Sequence, residues 1–136
     1  MNDLIAYMFI SKVFGVCDDD DAIVKIVTRP DILINEIYVL TTLQKQGVID
    51  DGIIRLVALS STAMLLRPRG VKTFKECHKP VSLLADIVNN LKICYENGIV
   101  YGDIQLTNIL VDKNSRLIFI DFGYGSNVGK VSYINT

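Results

Sequence analysis

Apolar positions in the first half of the chain follow first the pattern of strands and then the pattern of a helix. Two β-rich runs, residues 8–16 and 22–27, flank the acidic segment 18–21, which predicts a hairpin with a solvated turn. From Pro30 onward apolar residues recur every three or four positions until Gly47 interrupts the pattern, so a helix is expected between them. The positions that share this helical spacing are Leu33, Ile34, Ile37, Leu40 and Leu43.

The second half of the chain repeats the strand and helix patterns in a shorter form. Residues 53–59 and 62–66 predict two more strands, and Pro80 suits the first turn of a second helix that ends at residues 97–98. A hairpin is predicted with its turn at residues 112–115. The apolar positions expected on one face of the second helix are Leu83, Leu84, Ile87, Val88 and Leu91. No repeat or interdomain linker is visible in the sequence, which indicates one domain.

Composition narrows the class of protein without identifying a chemistry. The 136 residues are 50% hydrophobic, but no run approaches the ~18 apolar residues of a membrane span. A formal net charge of −1 argues against a dedicated nucleic-acid surface, and the start lacks the basic and apolar segments of a secretory signal. The cysteines suit a reducing compartment, because they are odd in number and widely spaced: Cys17, Cys77 and Cys94. An intracellular domain, cytoplasmic or nuclear, without a membrane or nucleic-acid partner is therefore expected.

The most specific chemical pattern lies around the predicted hairpin. Asp103 is followed five residues later by Asn108, and Asp121 comes after the hairpin, directly before Phe122 and Gly123. Phosphoryl transfer uses a carboxylate at the acceptor hydroxyl, and an amide oxygen and a second carboxylate on Mg²⁺. The layout resembles the catalytic loop and the Asp-Phe-Gly turn of the protein-kinase superfamily, although Asp and Asn also favour ordinary turns through local hydrogen bonds.

The resemblance to protein kinases implies a fold and a division of the chain. The fold class expected is α+β, a protein-kinase-like fold with a small β-rich lobe and the beginning of a helical large lobe. A single, partial domain would cover residues 1–136, with the small lobe at about 1–66, a hinge at 67–70 and the start of the large lobe at 71–136. On this interpretation the chain is truncated after the activation segment.

Two upstream residues complete the set that the resemblance implies. Lys25 lies inside an apolar strand pattern, where an inward-facing lysine needs a partner, and Glu36 lies in the first predicted helix. In protein kinases the corresponding lysine reaches the α- and β-phosphates of ATP and pairs with a helix glutamate. Without the resemblance, Lys25 would extend from a strand edge and Glu36 would lie on a solvated helix face.

The resemblance implies an ATP-dependent phosphotransferase that moves the γ-phosphate to a hydroxyl, with protein Ser/Thr as the expected acceptor. Asp103 would orient that hydroxyl as the catalytic carboxylate, and Lys25, held by Glu36, would position the phosphates. Asn108 and Asp121 would hold Mg²⁺. ATP and Mg²⁺ are thus the expected cofactors, and a protein substrate or a partner kinase is an expected partner.

Departures from the kinase pattern leave alternatives open. Ala6, Met8 and Ser11 stand where the glycines of a phosphate loop would let backbone amides approach phosphate closely. Gly102 stands where many protein kinases carry an arginine before the catalytic aspartate, and in this it resembles atypical and small-molecule members of the superfamily. The alternatives are a catalytically impaired pseudokinase or decoy, which binds nucleotide or a partner kinase, and a non-functional gene fragment.

Overall fold

The computed structural model describes residues 4–7, 11–48, 52–77, 80–102 and 109–129. The first half of the chain forms an antiparallel sheet of five strands. These strands are β1 Leu4–Tyr7, β2 Ser11–Val16, β3 Asp19–Val27, β4 Arg55–Leu59 and β5 Ala63–Arg67. They lie side by side in the order β1-β2-β3-β5-β4, which puts β3 at the centre of the sheet.

The hairpin between β2 and β3 differs from the prediction at its turn. The turn residues are Cys17 and Asp18, and β3 already begins at Asp19, so three of the four acidic residues lie on the strand. Arg67, at the end of neighbouring β5, forms an ion pair with the Asp19 carboxylate. Asp18, Asp20 and Asp21 are exposed, so the acidic segment is solvated as predicted and only the position of the turn differs.

Helix α1, Pro30–Lys45, follows β3 and packs against the sheet. Pro30 occupies the first turn, where its missing N–H is not needed, and Gly47 follows the helix end with a φ of +81°. Ile34 fits the apolar spacing, but its side chain is 68% exposed, because the buried face of the helix is centred on Glu36. The buried positions are Ile32, Leu33, Glu36, Val39, Leu40 and Leu43.

The second half of the chain adds one longer helix and several short strands. Its elements are β6 Lys72–Thr73, 3₁₀ turns at Phe74–Glu76 and Pro80–Leu83, α2 Leu84–Glu96, β7 Ile99–Val100, β8 Ile109–Val111, β9 Leu117–Phe119 and β10 Ser126–Asn127. Strands β6, β8 and β9 pair in that order as an antiparallel sheet, and β7 pairs with β10. The predicted hairpin is confirmed, with residues 112–116 joining β8 to β9.

Helix α2 buries part of the face that was predicted. The predicted positions that pack against the core are Leu83, Ile87 and Leu91. Leu84 and Val88 are exposed instead, whereas Asn90 is buried. The Asn90 side chain can be buried, because its Nδ2 donates to the carbonyl oxygen of Gly52 at 3.0 Å. A Cβ at Gly52 would collide with the same carboxamide. The helix therefore turns a polar side chain inward to pair with backbone in the segment that it covers.

Residues 52–54, which lead into β4 of the five-stranded sheet, contact β9 of the three-stranded sheet. Ile53 forms an isolated parallel bridge with Phe119, at the end of β9. The Phe119 N–H donates to the Gly52 carbonyl at 2.9 Å, and the Ile54 N–H donates to the Phe119 carbonyl at 3.2 Å. This contact fixes the β8–β9 hairpin beside the segment that leads into β4. Asp121, two residues after β9, is thereby carried towards α1.

Among the described residues, a cluster of buried apolar side chains extends across all three sheets and both helices. It includes Val13 on β2, Leu40 on α1, Leu66 on β5, Cys94 on α2 and Ile118 on β9. The two halves of the chain therefore share one core. Neither helix that the structure describes is long and apolar enough to cross a membrane.

Candidate functional site

Lys25 lies on the inner face of the central strand β3. Buried Ile23 and Val27 flank it at alternate positions, while Ile26 points to solvent, as the two-residue period of a strand requires. Met64 is its register partner on β5. Only 2% of the Lys25 side chain is exposed. An ammonium group at such a place needs compensating negative charge.

Glu36 on α1 supplies the first part of that compensation. The Lys25 Nζ lies 2.8 Å from Glu36 Oε1 and 2.9 Å from Oε2, so the ammonium bonds to both carboxylate oxygens. The Glu36 side chain is completely buried. The sequence interpretation expected this ion pair, and the structure contains it. The role of the pair in holding nucleotide phosphates stays a prediction.

Asp121 brings a second carboxylate to the same ammonium. Its Oδ1 lies 3.4 Å from Lys25 Nζ, and 4% of the residue is exposed. The same oxygen accepts a hydrogen bond of 3.1 Å from the Gly123 N–H, which closes a small turn over Asp121-Phe122-Gly123. Lys25, Glu36 and Asp121 therefore form one buried group, called here the ionic cluster, with two negative charges and one positive charge.

Burial and ion pairing act in opposite directions within the ionic cluster. Burial alone would lower the pKa of Lys25, but the carboxylates of Glu36 and Asp121 outweigh it and hold that pKa above its ordinary value. Burial raises the pKa of Glu36, and the Lys25 ammonium opposes that shift. Lys25 therefore keeps its proton at neutral pH and is a fixed positive charge inside the protein.

One face of α1 holds the turn that contains Asp121. The Phe122 N–H donates to Glu36 Oε2 at 3.3 Å. The Asn35 side chain, one position earlier, donates from Nδ2 to the carbonyl oxygens of Gly123 at 2.8 Å and Gly125 at 2.9 Å. Two neighbouring helix residues thus bond to the backbone of residues 122–125, which the sequence interpretation did not foresee for Asn35.

Two glycines allow the turn to approach α1 closely. A Cβ at Gly123 would lie 2.6 Å from Cγ2 of Ile32, and a Cβ at Gly125 would lie 3.0 Å from Cγ2 of Val39. Ile32 and Val39 are seven positions apart, on the same face of the helix as Asn35 and Glu36. The glycine of the Asp-Phe-Gly sequence is therefore required here by packing.

Aromatic stacking anchors the chain on the other side of the turn. Tyr101 stacks on Phe119 with ring centroids 4.4 Å apart and meets Phe122 edge-on at 4.9 Å. Gly102 follows with a φ of +89°, and a Cβ there would collide with the Tyr124 carbonyl oxygen. A larger residue at position 102 would not fit, which gives a physical reason for the absence of an arginine before Asp103.

Several predicted site residues lie outside the described ranges. Asp103 and Asn108, the predicted catalytic carboxylate and one predicted Mg²⁺ ligand, are among them, and so is Met8. Within the described ranges, no group of three His, Cys, Asp or Glu side chains is arranged to hold a metal ion. The structure thus brings together Lys25, Glu36 and Asp121 out of the predicted set.

The expected hinge, residues 67–70, is tied to the β2–β3 hairpin. The Arg69 guanidinium donates to the carbonyl oxygens of Val16 at 2.7 Å, Asp19 at 2.6 Å and Ala22 at 3.0 Å. Three backbone acceptors at one guanidinium make this connection rigid. The sequence interpretation expected a hinge here, with a strand-ending turn as the alternative, and gave Arg69 no role of its own. The role that the resemblance to kinases implies for a hinge, holding adenine through its backbone, stays a prediction.

Comparison with known proteins finds short matches to protein kinases. The chain is 34% identical over 61 residues to the dual specificity protein kinase zakA of Dictyostelium discoideum, covering 45% of the chain and 8% of that protein. It is 38% identical over 50 residues to the NUAK family SNF1-like kinase 2 of Rattus norvegicus, covering 37% of the chain and 8% of the relative. Sperm motility kinase 3A of Mus musculus is 33% identical over 51 residues, which are 38% of the chain and 10% of that kinase. No protein-family model matches the chain.

The matches and the fold agree at a coarse level. In each case the matched segment spans a tenth or less of the relative's length. A small antiparallel sheet with two helices is compatible with the α+β small lobe of a kinase. Together these findings support a protein-kinase-like relationship for this chain.

Proposed function

We propose that this chain is an ATP-dependent phosphotransferase of the protein-kinase type, which transfers the γ-phosphate of ATP to a hydroxyl group, with protein Ser/Thr as the acceptor. The observation that carries the proposal is the ionic cluster. A strand lysine, a helix glutamate and the aspartate of an Asp-Phe-Gly turn come from three separate elements and meet at one buried point. Protein kinases use this combination to hold ATP phosphates and Mg²⁺.

A purely structural role explains the ionic cluster less well. Buried ion pairs rarely add stability over well-packed apolar side chains, because the charges lose their hydration. Here an uneven group of one cation and two carboxylates lies next to Ile23, Leu66 and other apolar residues of the core. An unbalanced buried group of this kind is typical of a site that receives a further charged partner.

The chemistry of the donor set fits Mg²⁺. This ion prefers oxygen ligands and is usually held by one or two carboxylates together with substrate phosphates. Asp121 would supply one carboxylate oxygen, and Asn108 would supply an amide oxygen. When bound, Mg²⁺ would neutralise negative charge that develops on the phosphates. The Lys25 ammonium would contact the nucleotide phosphates, and Glu36 would hold that ammonium in place before the nucleotide binds.

The remaining work of the proposed reaction is positioning. Asp103 would orient the acceptor hydroxyl and take up its proton late in the transfer. No covalent intermediate on the protein is needed, because holding the reactants in line and stabilising charge supply most of the rate increase. The large α1 contact with residues 121–125 supports this, since it gives the metal-binding carboxylate a fixed place.

A second function, that of a nucleotide-binding decoy without turnover, is favoured by one sequence feature. Strand β1 pairs with β2 at Ala6 and Val13, in the part of the chain where a kinase would carry its glycine-rich phosphate loop. Ala6 and Ser11 lack the freedom of glycine, so backbone amides would approach phosphate less readily. A decoy would bind Mg²⁺-ATP through the ionic cluster but would not hydrolyse or transfer it.

Turnover assays separate these functions. The full chain is incubated with Mg²⁺, ATP and a mixture of Ser/Thr peptides, and ADP formation is measured beside Lys25→Met and Asp121→Asn. We expect turnover by the unmodified chain and a loss of about 10²–10³-fold in each variant, the range for removing one preorganised charge stabiliser. Lys92→Met, which changes an exposed lysine on α2, should retain full activity. ADP formation that is equal in all four proteins, or absent from all, contradicts the proposal.

A further inference from the structure

We propose that Asn35 is a positioning residue that keeps the Asp121 carboxylate turned towards Lys25 by holding the backbone of Gly123 and Gly125. The consequence for Mg²⁺ rests on the proposed function, whereas the positioning itself does not. Asn35 is neither a predicted metal ligand nor a member of the ionic cluster. It acts on the site through the peptide groups that follow Asp121.

The bonding of Asn35 uses both hydrogens of one amide group. Its Nδ2 lies 2.8 Å from the Gly123 carbonyl oxygen and 2.9 Å from the Gly125 carbonyl oxygen. A carboxamide carries two N–H donors on a planar nitrogen, so it can serve two acceptors at once. The side chain is partly buried, and its partners lie 88 and 90 positions away in the sequence. This is a tertiary contact, not a local cap.

Gly123 is held from both sides by this arrangement. Its N–H donates to Asp121 Oδ1, and its carbonyl oxygen accepts from Asn35. The Gly125 N–H in turn donates to the Phe122 carbonyl at 3.0 Å, which closes the same turn. A glycine has no Cβ to limit its backbone angles, so bonds on both of its peptide groups are what fix it. Loss of the Asn35 bond would free the peptide group after Gly123, which is next to the one whose N–H bonds to the Asp121 carboxylate.

The first test measures positioning without any ligand. Amide hydrogen exchange is followed by NMR in the full chain and in Asn35→Asp, which keeps the size of the side chain but has no N–H to donate. We expect exchange at Phe122, Gly123 and Gly125 to rise about tenfold, the effect of losing roughly 1.4 kcal/mol of hydrogen bonding. Amides in the middle of α1 and β3 should change less than twofold.

A matched control lies on the same helix. The Tyr38 hydroxyl donates to Asn127 Oδ1 at 3.1 Å, so Tyr38→Phe removes another bond between α1 and the segment after Asp121. Exchange at the turn should stay unchanged in Tyr38→Phe. If Asn35→Asp does not fold, Asn35→Ala replaces it, because it removes both donors without adding a charge and should give a rise of similar size. Unchanged exchange at the turn, or an equal rise throughout the protein, overturns the proposal.

The second test measures the consequence for the metal. The Mg²⁺ concentration that gives half-maximal ATP turnover should rise about five- to tenfold in the Asn35 variant, while the KM for ATP changes less than twofold. A residue with only a structural role would lower thermal stability and leave this Mg²⁺ requirement unchanged, and that result contradicts a positioning role. Absence of turnover in the unmodified chain contradicts the proposed function instead, and the exchange experiment still decides whether Asn35 holds the turn.

Discussion

Lys25 is compensated twice in the interior of the protein, and this double compensation is the main residue-scale feature. Glu36 takes both short contacts with the ammonium, and Asp121 lies slightly farther away at 3.4 Å. Removing Lys25 leaves carboxylates without a cation in the core, which costs more than the intact pair contributes. The effects of substitutions in the ionic cluster on the free energy of unfolding are therefore expected to be large and coupled.

A double-mutant cycle tests that coupling. We expect Lys25→Met to lower the free energy of unfolding by about 3 kcal/mol, because Glu36 then lacks its cation in a buried place. Glu36→Gln should cost about 2 kcal/mol, since Asp121 still faces the ammonium. The double variant should cost at least ~1 kcal/mol less than the sum, because the two residues are in direct contact. Urea unfolding at neutral pH provides the three values.

An exposed ion pair serves as the control for this cycle. Lys92 and Glu96 lie one helical turn apart on α2, with N and O atoms 3.9 Å apart and both side chains largely exposed. Changing Lys92 to Met should alter the unfolding free energy by less than ~0.5 kcal/mol, as is usual for surface pairs. Additive costs for Lys25→Met and Glu36→Gln would mean that the two side chains do not stabilise each other in solution.

At the scale of elements, α1 is the part that joins the sheet to the Asp-Phe-Gly turn. One face of α1 lies against residues 122–125. Asn35 and Glu36 form hydrogen bonds with the backbone there. Ile32 and Val39 leave no room for a side chain at positions 123 and 125. The helix thus links the strand that carries Lys25 to the turn that carries Asp121.

Gly123→Ala tests how tightly α1 and the turn are packed. The new Cβ would lie 2.6 Å from Ile32 Cγ2, so we expect a loss of about 1–3 kcal/mol in unfolding free energy. Ile32→Leu removes that Cγ2 methyl group, so the double variant should recover part of the lost stability. Thermal or urea unfolding of the two single variants and the double variant gives the coupling.

Gly47→Ala is the matched control for the packing argument. Gly47 has a φ of +81°, a backbone conformation that side chains disfavour, but nothing lies within 4 Å of its missing Cβ. Its substitution should cost about 1 kcal/mol through backbone strain alone and should add independently to Ile32→Leu. If Ile32→Leu relieves Gly47→Ala as much as it relieves Gly123→Ala, the proposed contact is not the cause.

The scale of the whole molecule shows which features the sequence could predict. Both helices, the hairpins and four of the strands follow from periodicity and turn residues, since these signals are local. The buried faces were harder to predict, because they depend on neighbours distant in sequence. Ile34 and Val88 fit the apolar spacing but are exposed, whereas Glu36 and Asn90 are polar and buried. Only contacts with residues distant in the sequence explain why these polar side chains are buried and these apolar ones are exposed.

The candidate site also contains residues that the sequence could predict and residues that it could not. The kinase-like order of residues identified Lys25, Glu36 and Asp121, because that order relates positions far apart in the sequence. Periodicity describes only neighbouring positions. Asn35 could not be named, since its two carbonyl partners belong to glycines that carry no side-chain signal. Arg69 was missed for a similar reason, as its three acceptors are all backbone oxygens.

The central claim is that the ionic cluster binds Mg²⁺-ATP, and thermal unfolding of the full chain tests it most directly. The melting temperature is measured alone, with Mg²⁺-ATP, and with ATP in excess EDTA, for the unmodified chain and for Asp121→Asn. At a ligand concentration about ten times Kd, binding adds about 1.4 kcal/mol to the folded state, so a rise of several degrees is expected. That rise should require Mg²⁺ and should be lost in Asp121→Asn. No rise in the unmodified chain, or an equal rise in both proteins, would contradict the account.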